Sequence, residues 1–246
     1  MNELEIVRQQ LAPHGILSAA INLSNFLLVS GRGGPLGFHG VAPDLAQEIA
    51  TRLATRLELV PYDKPSQIAD AAGSGTWNIG LLGAEPARAA TIAFSPSYAE
   101  IEAGYLAPPG SPLTRTEDVD RPGVRILAYR GSAYGLWLEA NLRNATLVHA
   151  PSFADAFDRF RAGEADALAS LRPKLLEDVQ AWPGTRILPG CFMTVRQAIG
   201  VAAGQAEAAA FIRRFVDELR STRLIEALIR KHRVVGLTAT PVDAPA

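Results

Sequence analysis

Cysteine is almost absent from this chain of 246 residues, since Cys191 is the only one. A framework of internal disulfides is therefore excluded. Cys191 could act as a nucleophile, but its place beside Phe192 favours a small buried hydrophobic residue. The four histidines show no spacing typical of metal ligands, so the sequence predicts no metal site and no cofactor.

An excess of positive charge is missing as well, because the formal net charge is −1. Binding to the phosphates of a nucleic acid depends on basic side chains that displace counterions, so no nucleic-acid partner is expected. The apolar runs are also far shorter than the roughly 20 residues that a membrane-spanning helix needs. Insertion into a membrane is therefore not expected.

An export signal is not recognisable at the start of the chain. Glu3 and Glu5 stand where a secretory signal would be basic, and no continuous apolar stretch follows. This favours a cytosolic protein, or an exported protein in its mature form with a starting methionine.

What the chain does have is a regular alternation of strand and helix patterns. Its 48% hydrophobic residues suffice for a core in one large domain or two lobes. Strands are predicted over 15–21, 57–62, 77–83, 121–129, 145–150, 165–170 and 185–190. Helices are predicted over 43–57, 66–75, 132–142, 152–163, 172–182 and 206–232. The last helix is expected to break near Ser221.

This alternation predicts an α/β fold with parallel, doubly wound sheets. The segment 105–114 is rich in proline and glycine and marks a boundary between two groups of elements. Trp77 opens a buried strand and is assigned to the core. The glycine-rich segment 31–37 is interpreted as a flexible hairpin tip, and the tail 238–246 is expected to be frayed.

Six segments of the chain occur in an order typical of one protein family. They are GVAPDLAQEIATRL, GSGTWNIGLLGAEPARAATIAFSPSYAE, PPGSPL, DVDRPGVRILAYRGSAYGLWL, FRAGEADALAS and QAIGVAAG. Together they resemble the type II periplasmic solute-binding proteins, that is, bacterial extracellular solute-binding protein family 3. The similarity is to the branch that serves polar amino acid ABC transporters, and it extends from Gly15 to about Gly236.

The resemblance implies a two-lobed fold. Each lobe would be a mixed, mostly parallel sheet flanked by helices, and two crossing strands would join the lobes. Lobe 1 would comprise residues 1–103 and 199–246, and lobe 2 residues 104–198. A ligand would be trapped in the cleft between the lobes.

The segment GLLGAEPARAATIAFSP, residues 80–96, raises the question of a ligand site. An apolar strand ends at Gly83 and Ala84, and an acid, a proline and Arg88 follow. The resemblance implies that Arg88 grips a ligand carboxylate, for which a planar guanidinium is well suited. The alternative is a surface ion pair between Glu85 and Arg88.

Glu85 departs from the family pattern, which has Ser or Thr at this place. A carboxylate so near Arg88 would repel the carboxylate of a ligand. Glu85 therefore either turns away as a helix cap, which we favour, or receives the cationic part of a ligand.

A second candidate anion site lies in RGSAY, residues 130–134, between a strand and a helix. The backbone N–H groups of Ser132 and Ala133 and the Ser132 hydroxyl are expected to be available to an anion. The resemblance implies that they form the second lobe's half of the carboxylate site. Ser132 could instead cap its own helix, and both roles can hold together. Tyr134 is a candidate aromatic residue of the cleft.

Two positions lack the acid that the family uses for the α-ammonium group of an amino acid. Leu171 stands where an Asp is usual, five residues beyond Asp166, and Asn22 stands where Asp is frequent. Leaving an ammonium group buried and unpaired would be costly. The sequence therefore favours a carboxylate ligand without a charged amine over a standard α-amino acid.

The neighbours of these two positions are further candidates for the site. Arg172 follows Leu171 and could reach a second acid group of a ligand, or it is a solvated residue ahead of Pro173. The resemblance implies that Asn25 or Phe26, shortly after Asn22, lies near the aromatic position that stacks on a ligand, and the alternative for Phe26 is packing in the core.

The predicted function is capture of a small carboxylate or amino-acid-like solute by a periplasmic, monomeric substrate-binding component of an ABC-type uptake system, with a permease as partner. No catalytic set of residues is recognisable, so an enzyme is not the first interpretation. A dehydratase on the same scaffold, with Glu85 as its acid, remains an alternative. A cytosolic sensor or orphan binding module and a degenerate cleft that binds nothing are others.

Overall fold

The computed structural model describes residues 2–243, within which strands and helices alternate. The strands are β1 (Ile16–Asn22), β2 (Gly31–Arg32), β3 (Phe38–His39), β4 (Arg56–Tyr62), β5 (Ile79–Gly83), β6 (Ile92–Phe94), β7 (Ala99–Ala107), β8 (Arg125–Tyr129), β9 (Thr146–Ala150), β10 (Ala167–Leu171), β11 (Arg186–Ile187), β12 (Met193–Ala202) and β13 (Thr238–Ala239). The α-helices are α1 (Glu3–Leu11), α2 (Val41–Arg52), α3 (Pro65–Asp70), α4 (Ala133–Asn141), α5 (Phe153–Arg161), α6 (Arg172–Ala181), α7 (Ala206–Ser221) and α8 (Leu224–Lys231). Two short 3-10 helices cover Pro86–Arg88 and Thr116–Asp118.

The chain forms two compact units, and the predicted α/β fold class is confirmed. Unit 1 contains the chain up to Glu100 and from Arg196 onward, and unit 2 is Ile101–Val195. The chain passes from one unit to the other within β7 and again within β12. Within residues 2–243, no helix combines the length and the apolar character that a membrane crossing requires.

The sheet of unit 1 is built around parallel strands. The strand β1 pairs in parallel with β4 on one side and with β5 on the other. The second half of β12 pairs antiparallel with β5 and β6. Because β1 and β5 run in the same direction, with Ala19 opposite Ile79, the residues that follow both strands lie at one edge of the sheet.

The core of unit 1 includes the residue that the sequence assigned to it, Trp77. Its ring packs with Ala20, Ile68, Leu82 and Ile92. Its indole Nε1 donates a hydrogen bond to the carbonyl of Ile68 at 3.1 Å. Since a buried indole N–H needs an acceptor, this bond fixes the ring in the core.

The sheet of unit 2 repeats the same plan. The strand β8 pairs in parallel with β9 and β10, and the latter pairs antiparallel with the second half of β7. The core contains Leu106, Leu127, Phe160, Leu168 and Leu175. The residues that follow β8 and β10 therefore also lie at one edge of their sheet.

The helix predicted over 43–57 is shorter than expected and begins earlier. It is α2, which ends at Arg52, and Leu57 belongs instead to β4. It begins after Gly40, whose φ of 145° lies in a region that residues with a Cβ rarely adopt. A Cβ at this position would lie 2.3 Å from the carbonyl oxygen of Leu28, so the approach of the two chain segments requires glycine.

The helix α1 was not predicted, although its start carries a recognisable pattern. The Asn2 side chain accepts a hydrogen bond from the Glu5 backbone N–H, and the Glu5 side chain accepts one from the Asn2 N–H. This reciprocal arrangement is a capping box, which stabilises a helix start. The break predicted near Ser221 is confirmed, because α7 ends there and Arg223 has a φ of 56°.

Two further predictions from the sequence are wrong. Cys191 is exposed rather than buried, because it lies in the loop before β12. The tail is not frayed at its start, since β13 pairs antiparallel with the first residues of β7 and Thr240 N donates to the Tyr98 carbonyl at 3.0 Å. Residues 244–246 lie outside the described residues.

The predicted hairpin around residues 31–37 is confirmed as the antiparallel pair β2 and β3.

Candidate functional site

The candidate site in unit 1 follows the end of β5, a strand whose five residues are all buried. The strand ends at Gly83, and the Ala84 N–H donates to the carbonyl of Arg196 at 2.9 Å. Glu85 is extended, and Pro86 then opens the 3-10 helix. Proline fits here because its fixed φ suits the first turn and its missing N–H leaves no donor unpaired. The residues after β5 thus form a short turn at the edge of the sheet.

The guanidinium of Arg88 is held inside this turn. Arg88 is 4% exposed, and its Nη1 donates a hydrogen bond to the Gly83 carbonyl at 2.7 Å. Burial lowers the pKa of Arg88, while the negative charges of Glu85 and Asp70 act in the opposite direction. A guanidinium remains protonated in proteins, so Arg88 is a buried and fixed cation. A ligand carboxylate is the kind of group that such a cation attracts.

Glu85 is also buried, with 6% of its surface exposed. It occupies the N-cap position of the 3-10 helix, but its side chain makes no capping hydrogen bond, so the favoured prediction of a cap is wrong. Burial raises the pKa of Glu85 to about 7, and the positive charge of Arg88 counteracts this only in part. Near neutral pH, the carboxyl group is therefore divided between its neutral and charged forms.

Asn22 lies at the same edge of the sheet as this turn, at the end of β1. It is 8% exposed, and its Oδ1 accepts hydrogen bonds from the Ser24 N–H at 3.1 Å and the Ser24 hydroxyl at 2.7 Å. Its side chain thus organises the turn that leads to Phe26, which is half-buried. Contact of Asn22 and Phe26 with a ligand stays a prediction.

Sequence reasoning missed Gln197, a buried amide beside the end of β5. Gln197 lies opposite Gly83 in the pairing of β12 with β5 and is 3% exposed. Among the described residues, its Oε1 has no hydrogen-bond partner. A buried amide oxygen normally has a partner, so this group is suited to a ligand or a water molecule. The sequence carried only a weak signal, an amide next to the apolar run from Ala198 to Val201, because the closeness of Gln197 to Gly83 arises only when β12 pairs with β5.

In unit 2, the Ser132 hydroxyl is not available to an anion as predicted. It donates to the Tyr129 carbonyl at 2.7 Å and accepts from the Gly135 N–H at 3.0 Å. The Ser132 N–H also faces the Tyr129 carbonyl, at 3.3 Å. Ser132 is therefore the N-cap of α4. Of the predicted donors, the N–H of Ala133 remains, because the first N–H groups of a helix have no acceptor within it.

Tyr134 is 2% exposed and lies in the interior of unit 2. Burial raises the pKa of its hydroxyl. Its position is that of a core residue, and contact of its ring with a ligand stays a prediction.

Leu171 is the last residue of β10 and Arg172 follows it, at the same edge of the sheet as Ser132. Leu171 is 6% exposed and ends the strand. The Arg172 side chain is 40% exposed, lies 3.5 Å from the Glu102 carboxylate, and donates to the Gly190 carbonyl at 3.4 Å. Its charge is thus engaged within unit 2, which favours the solvated residue over a ligand contact.

A cavity of about 300 Å³ lies in unit 1 beside the turn after β5, since Ala84 is one of its lining residues. It is lined by Phe94, Ser95 and Ser97 and by two exposed arginines, Arg196 and Arg213. Two cations also suit an anion. This cavity is therefore the alternative binding site in the experiments that test Arg88.

Comparison with known protein families identifies the chain. The model of the bacterial extracellular solute-binding proteins, family 3, matches residues 29–234. No curated protein matches the sequence.

Several solved structures share the fold. The solute receptor for L-cysteine of Neisseria gonorrhoeae has a TM-score of 0.74 at 16% identity, over 96% of this chain and 99% of that chain. A Streptococcus pneumoniae amino acid ABC transporter substrate-binding protein, AbpA, bound to L-arginine, has a TM-score of 0.71 at 19% identity, over 90% of this chain and 96% of that chain. An ancestral amino acid-binding protein, a precursor of cyclohexadienyl dehydratase, has a TM-score of 0.72 at 18% identity, over 94% of this chain and 99% of that chain. At such identities the likeness establishes the fold, and the family match establishes the relationship. The chain belongs to the bacterial extracellular solute-binding proteins, family 3.

Proposed function

We propose that this protein is the substrate-binding component of an ABC-type uptake system and that it binds a small solute carrying a carboxylate. The observation that carries the proposal is the buried, fixed guanidinium of Arg88 at the end of β5. The family relationship and the amino-acid ligands of the structural neighbours support the same class of solute.

The chemistry of Arg88 suits carboxylate binding for two reasons. Its Nη1 is anchored to the Gly83 carbonyl, so the plane of the guanidinium is fixed before a ligand arrives. A preorganised donor loses little conformational entropy on binding. Burial also reduces competition from water, which strengthens a charge-assisted hydrogen bond.

Unit 2 contributes a second set of donors in this proposal. The N–H of Ala133 lies in the first turn of α4, where the backbone dipoles favour negative charge. The capping role of Ser132 is compatible with anion binding by the Ala133 N–H, because the cap stabilises the first turn of α4. Because the Ser132 hydroxyl is already bonded within unit 2, the ligand contacts of unit 2 would come mainly from backbone N–H groups.

We propose further that the solute is bound by closure of the two units around it. A conformational change needs a ligand that interacts more strongly with one state than with the other. A carboxylate that contacts Arg88 in one unit and Ala133 in the other would meet this condition. A permease would recognise the closed form of a monomeric protein in the periplasm, in keeping with the extracellular description of the family.

A dehydratase-like enzyme is the second candidate, because one specific observation favours it. The pKa of Glu85 is raised to about 7, which is the range in which a general acid is effective. A structural neighbour is also described as a precursor of cyclohexadienyl dehydratase. Incubation with a cyclohexadienyl acid, followed by absorbance of the aromatic product, tests this candidate. Product formation that is lost in Glu85→Gln would favour the enzyme over transport.

The binding proposal is tested by a thermal-shift screen of the common protein amino acids and of small mono- and dicarboxylates. A ligand at about a hundred times its dissociation constant stabilises the folded state by about 2.7 kcal/mol. The expected result is a raised melting temperature with members of these classes, lost in Arg88→Ala and retained in Arg213→Ala. A shift that depends on Arg213 but not on Arg88 would move the site to the cavity in unit 1.

A further inference from the structure

A second cavity, of about 250 Å³, lies entirely within unit 2. Three aromatic residues line it, Tyr105, Trp137 and Phe192, together with two acids, Glu117 and Asp120. Among the described residues that line it, none is a lysine or an arginine. The cavity is slightly smaller than the roughly 300–1,000 Å³ of typical small-molecule sites, so it is suited to a small ligand.

The three aromatic rings form one connected wall of this cavity. The Phe192 ring is stacked on Tyr105, with centroids 4.5 Å apart, and its centroid is 5.5 Å from that of Trp137. The Phe192 N–H donates to the Ala103 carbonyl at 3.0 Å, which holds the central residue beside β7. Tyr105 is buried, whereas Trp137 and Phe192 are half-buried, so parts of these two rings are open to a ligand. The face of an aromatic ring carries partial negative charge and attracts organic cations.

Asp120 supplies a fixed negative charge to this wall. Its Oδ1 accepts hydrogen bonds from the N–H groups of Asn144 at 2.8 Å and Ala145 at 2.9 Å. Burial alone would raise the pKa of Asp120, but its hydrogen bonds with backbone N–H groups outweigh burial, and the pKa is lowered. Burial and, in second place, the charge of Asp120 raise the pKa of Tyr105. The negative charge of Asp120 therefore acts on the aromatic wall.

Glu117 adds a second negative charge at the exposed rim of the cavity. Its carboxylate lies 4.0 Å from Arg115, and exposed ion pairs of this kind contribute little. Arg115 also lies 3.7 Å from the carboxylate of Asp118. Arg143, whose charge acts on Asp120, is exposed and is not among the described residues that line the cavity. The balance of charge at the cavity wall is therefore negative.

The cavity and the predicted anion donor of unit 2 lie at opposite ends of α4. Trp137 and Asn141 belong to the second half of the helix, about 6–12 Å along its axis from Ala133. The last turn of α4 carries no basic side chain. Because the C-terminal end of a helix favours positive charge, this end suits a cation, whereas the N–H of Ala133 suits an anion.

We propose that this cavity is an accessory binding site for a small organic cation of the quaternary ammonium type, held by the three aromatic rings and by the charges of Glu117 and Asp120. The Asp120 carboxylate already accepts hydrogen bonds from backbone N–H groups, so it suits a cation that donates none. A quaternary ammonium group presents methyl groups to the rings and is attracted by their faces. The inference is independent of the proposed function, because it uses none of the residues assigned to the solute.

Isothermal titration calorimetry of the wild-type protein with choline tests the inference. The matched control is 3,3-dimethylbutan-1-ol, which has the shape of choline without its positive charge. We expect choline to bind with a dissociation constant below about 1 mM and the neutral alcohol to bind at least about tenfold more weakly. Absence of saturable choline binding up to about 10 mM, or equal binding of the two molecules, would overturn the inference.

Variants of unit 2 locate the bound cation. Trp137→Leu should weaken choline binding by at least about tenfold, while its melting curve shows a folded protein. Trp182→Leu is the matched control and should bind normally, because this half-buried tryptophan packs against the core that contains Phe160. Equal losses of affinity in the two variants would overturn the inference.

A charge reversal at the rim keeps the test valid if Trp137→Leu does not fold. Glu117 is exposed, so Glu117→Lys should leave the fold intact. It should weaken choline binding by at least about fivefold, because it replaces an attractive charge with a repulsive one. Unchanged choline affinity in Glu117→Lys would overturn the inference.

The Arg88→Ala variant distinguishes failure of this inference from failure of the proposed function. It should lose solute binding and retain the choline affinity of the wild-type protein. Loss of choline binding in this variant would place choline at the solute site and overturn the inference. Solute binding that persists in Arg88→Ala would overturn the proposed function and leave the cation site intact.

Discussion

The strand ends of the two units use their polar side chains in opposite ways. In unit 1, the turn after β5 buries Glu85 and Arg88, and no hydrogen bond from the described residues reaches the Glu85 carboxylate. In unit 2, the Ser132 hydroxyl is bonded to Tyr129 and Gly135, and Arg172 lies against Glu102. The two units thus share a plan of strands and helices but differ in what their strand ends leave for a ligand.

This difference assigns the units distinct tasks in the proposed function. Unit 1 carries fixed charges that would set the class of solute. Unit 2 offers backbone donors at a helix start, which attract an anion without selecting its other groups. Side-chain substitutions should therefore affect solute affinity much more in unit 1 than in unit 2.

The largest effect is expected from Arg88→Ala. Charge-assisted hydrogen bonds contribute about 1.5–3 kcal/mol each, so loss of a two-pronged pair should weaken solute binding by at least about a hundredfold. Calorimetric titration measures the change. Arg213→Ala, which removes an exposed arginine from the same unit, is the matched control and should bind normally. A loss of solute affinity of about tenfold or less in Arg88→Ala would contradict the expectation that side chains of unit 1 determine affinity.

The next effect is a dependence of stability on pH that originates in unit 1. The folded protein holds the proton of Glu85 up to about pH 7, whereas the unfolded chain releases it near the ordinary value of 4.5. Between these values the folded state binds more protons, so its free energy of unfolding falls as pH rises. The raised pKa of Glu85 corresponds to about 3 kcal/mol of folding stability. This contribution is lost progressively as the pH rises from 4.5, and the loss is complete above about pH 7.5.

Urea unfolding of the ligand-free protein from about pH 5 to about pH 8 checks this expectation. The Glu85→Gln variant lacks the titrating group and should be more stable than the wild-type protein at about pH 8. Equal pH dependence in both proteins would mean that Glu85 is not the responsible group.

In unit 2, Ser132→Ala should act on stability rather than on binding. Loss of an N-cap costs about 1 kcal/mol, since the Gly135 N–H loses its acceptor. Solute affinity should change by less than about threefold, because the hydroxyl is already engaged within the unit and the Ala133 N–H remains. Unfolding and titration of the same preparation measure both quantities. A large affinity loss with unchanged stability would give the hydroxyl a direct role after all.

The smallest effect is expected from Arg172→Ala. Its contact with Glu102 is exposed, and exposed ion pairs contribute about 0–1 kcal/mol. Both stability and affinity should remain within error of the wild-type values. A clear loss of affinity would extend the charged part of the site into unit 2.

The sequence was sufficient for those features that depend on neighbours along the chain. The buried strand before Gly83 and the break near Ser221 follow from local patterns. The core position of Trp77 follows from its place at the start of an apolar strand. The order of six segments gave the fold, which the comparisons confirm.

Features that depend on contacts distant in sequence were not predictable in this way. Cys191 was expected to be buried because its neighbour is aromatic, yet the loop exposes it. The start of the tail is ordered by β7, which lies more than a hundred residues earlier. Gln197 was missed because its closeness to Gly83 arises only when the strands pair.

For the candidate site, the sequence indicated residues but not the states of their side chains. The sequence indicated Arg88 and Ser132 by position, but it could not indicate that the serine hydroxyl is already bonded on both sides. Glu85 was expected to cap a helix, because acids often do so at this place. Its burial without a capping bond is a property of the folded turn.

A crystal structure of the protein with a bound amino acid, chosen by the thermal-shift screen, tests the central claim most directly. We expect the amino-acid carboxylate to form hydrogen bonds with the guanidinium of Arg88. An amino acid found in the cavity lined by Arg196 and Arg213, with no contact to Arg88, would contradict it.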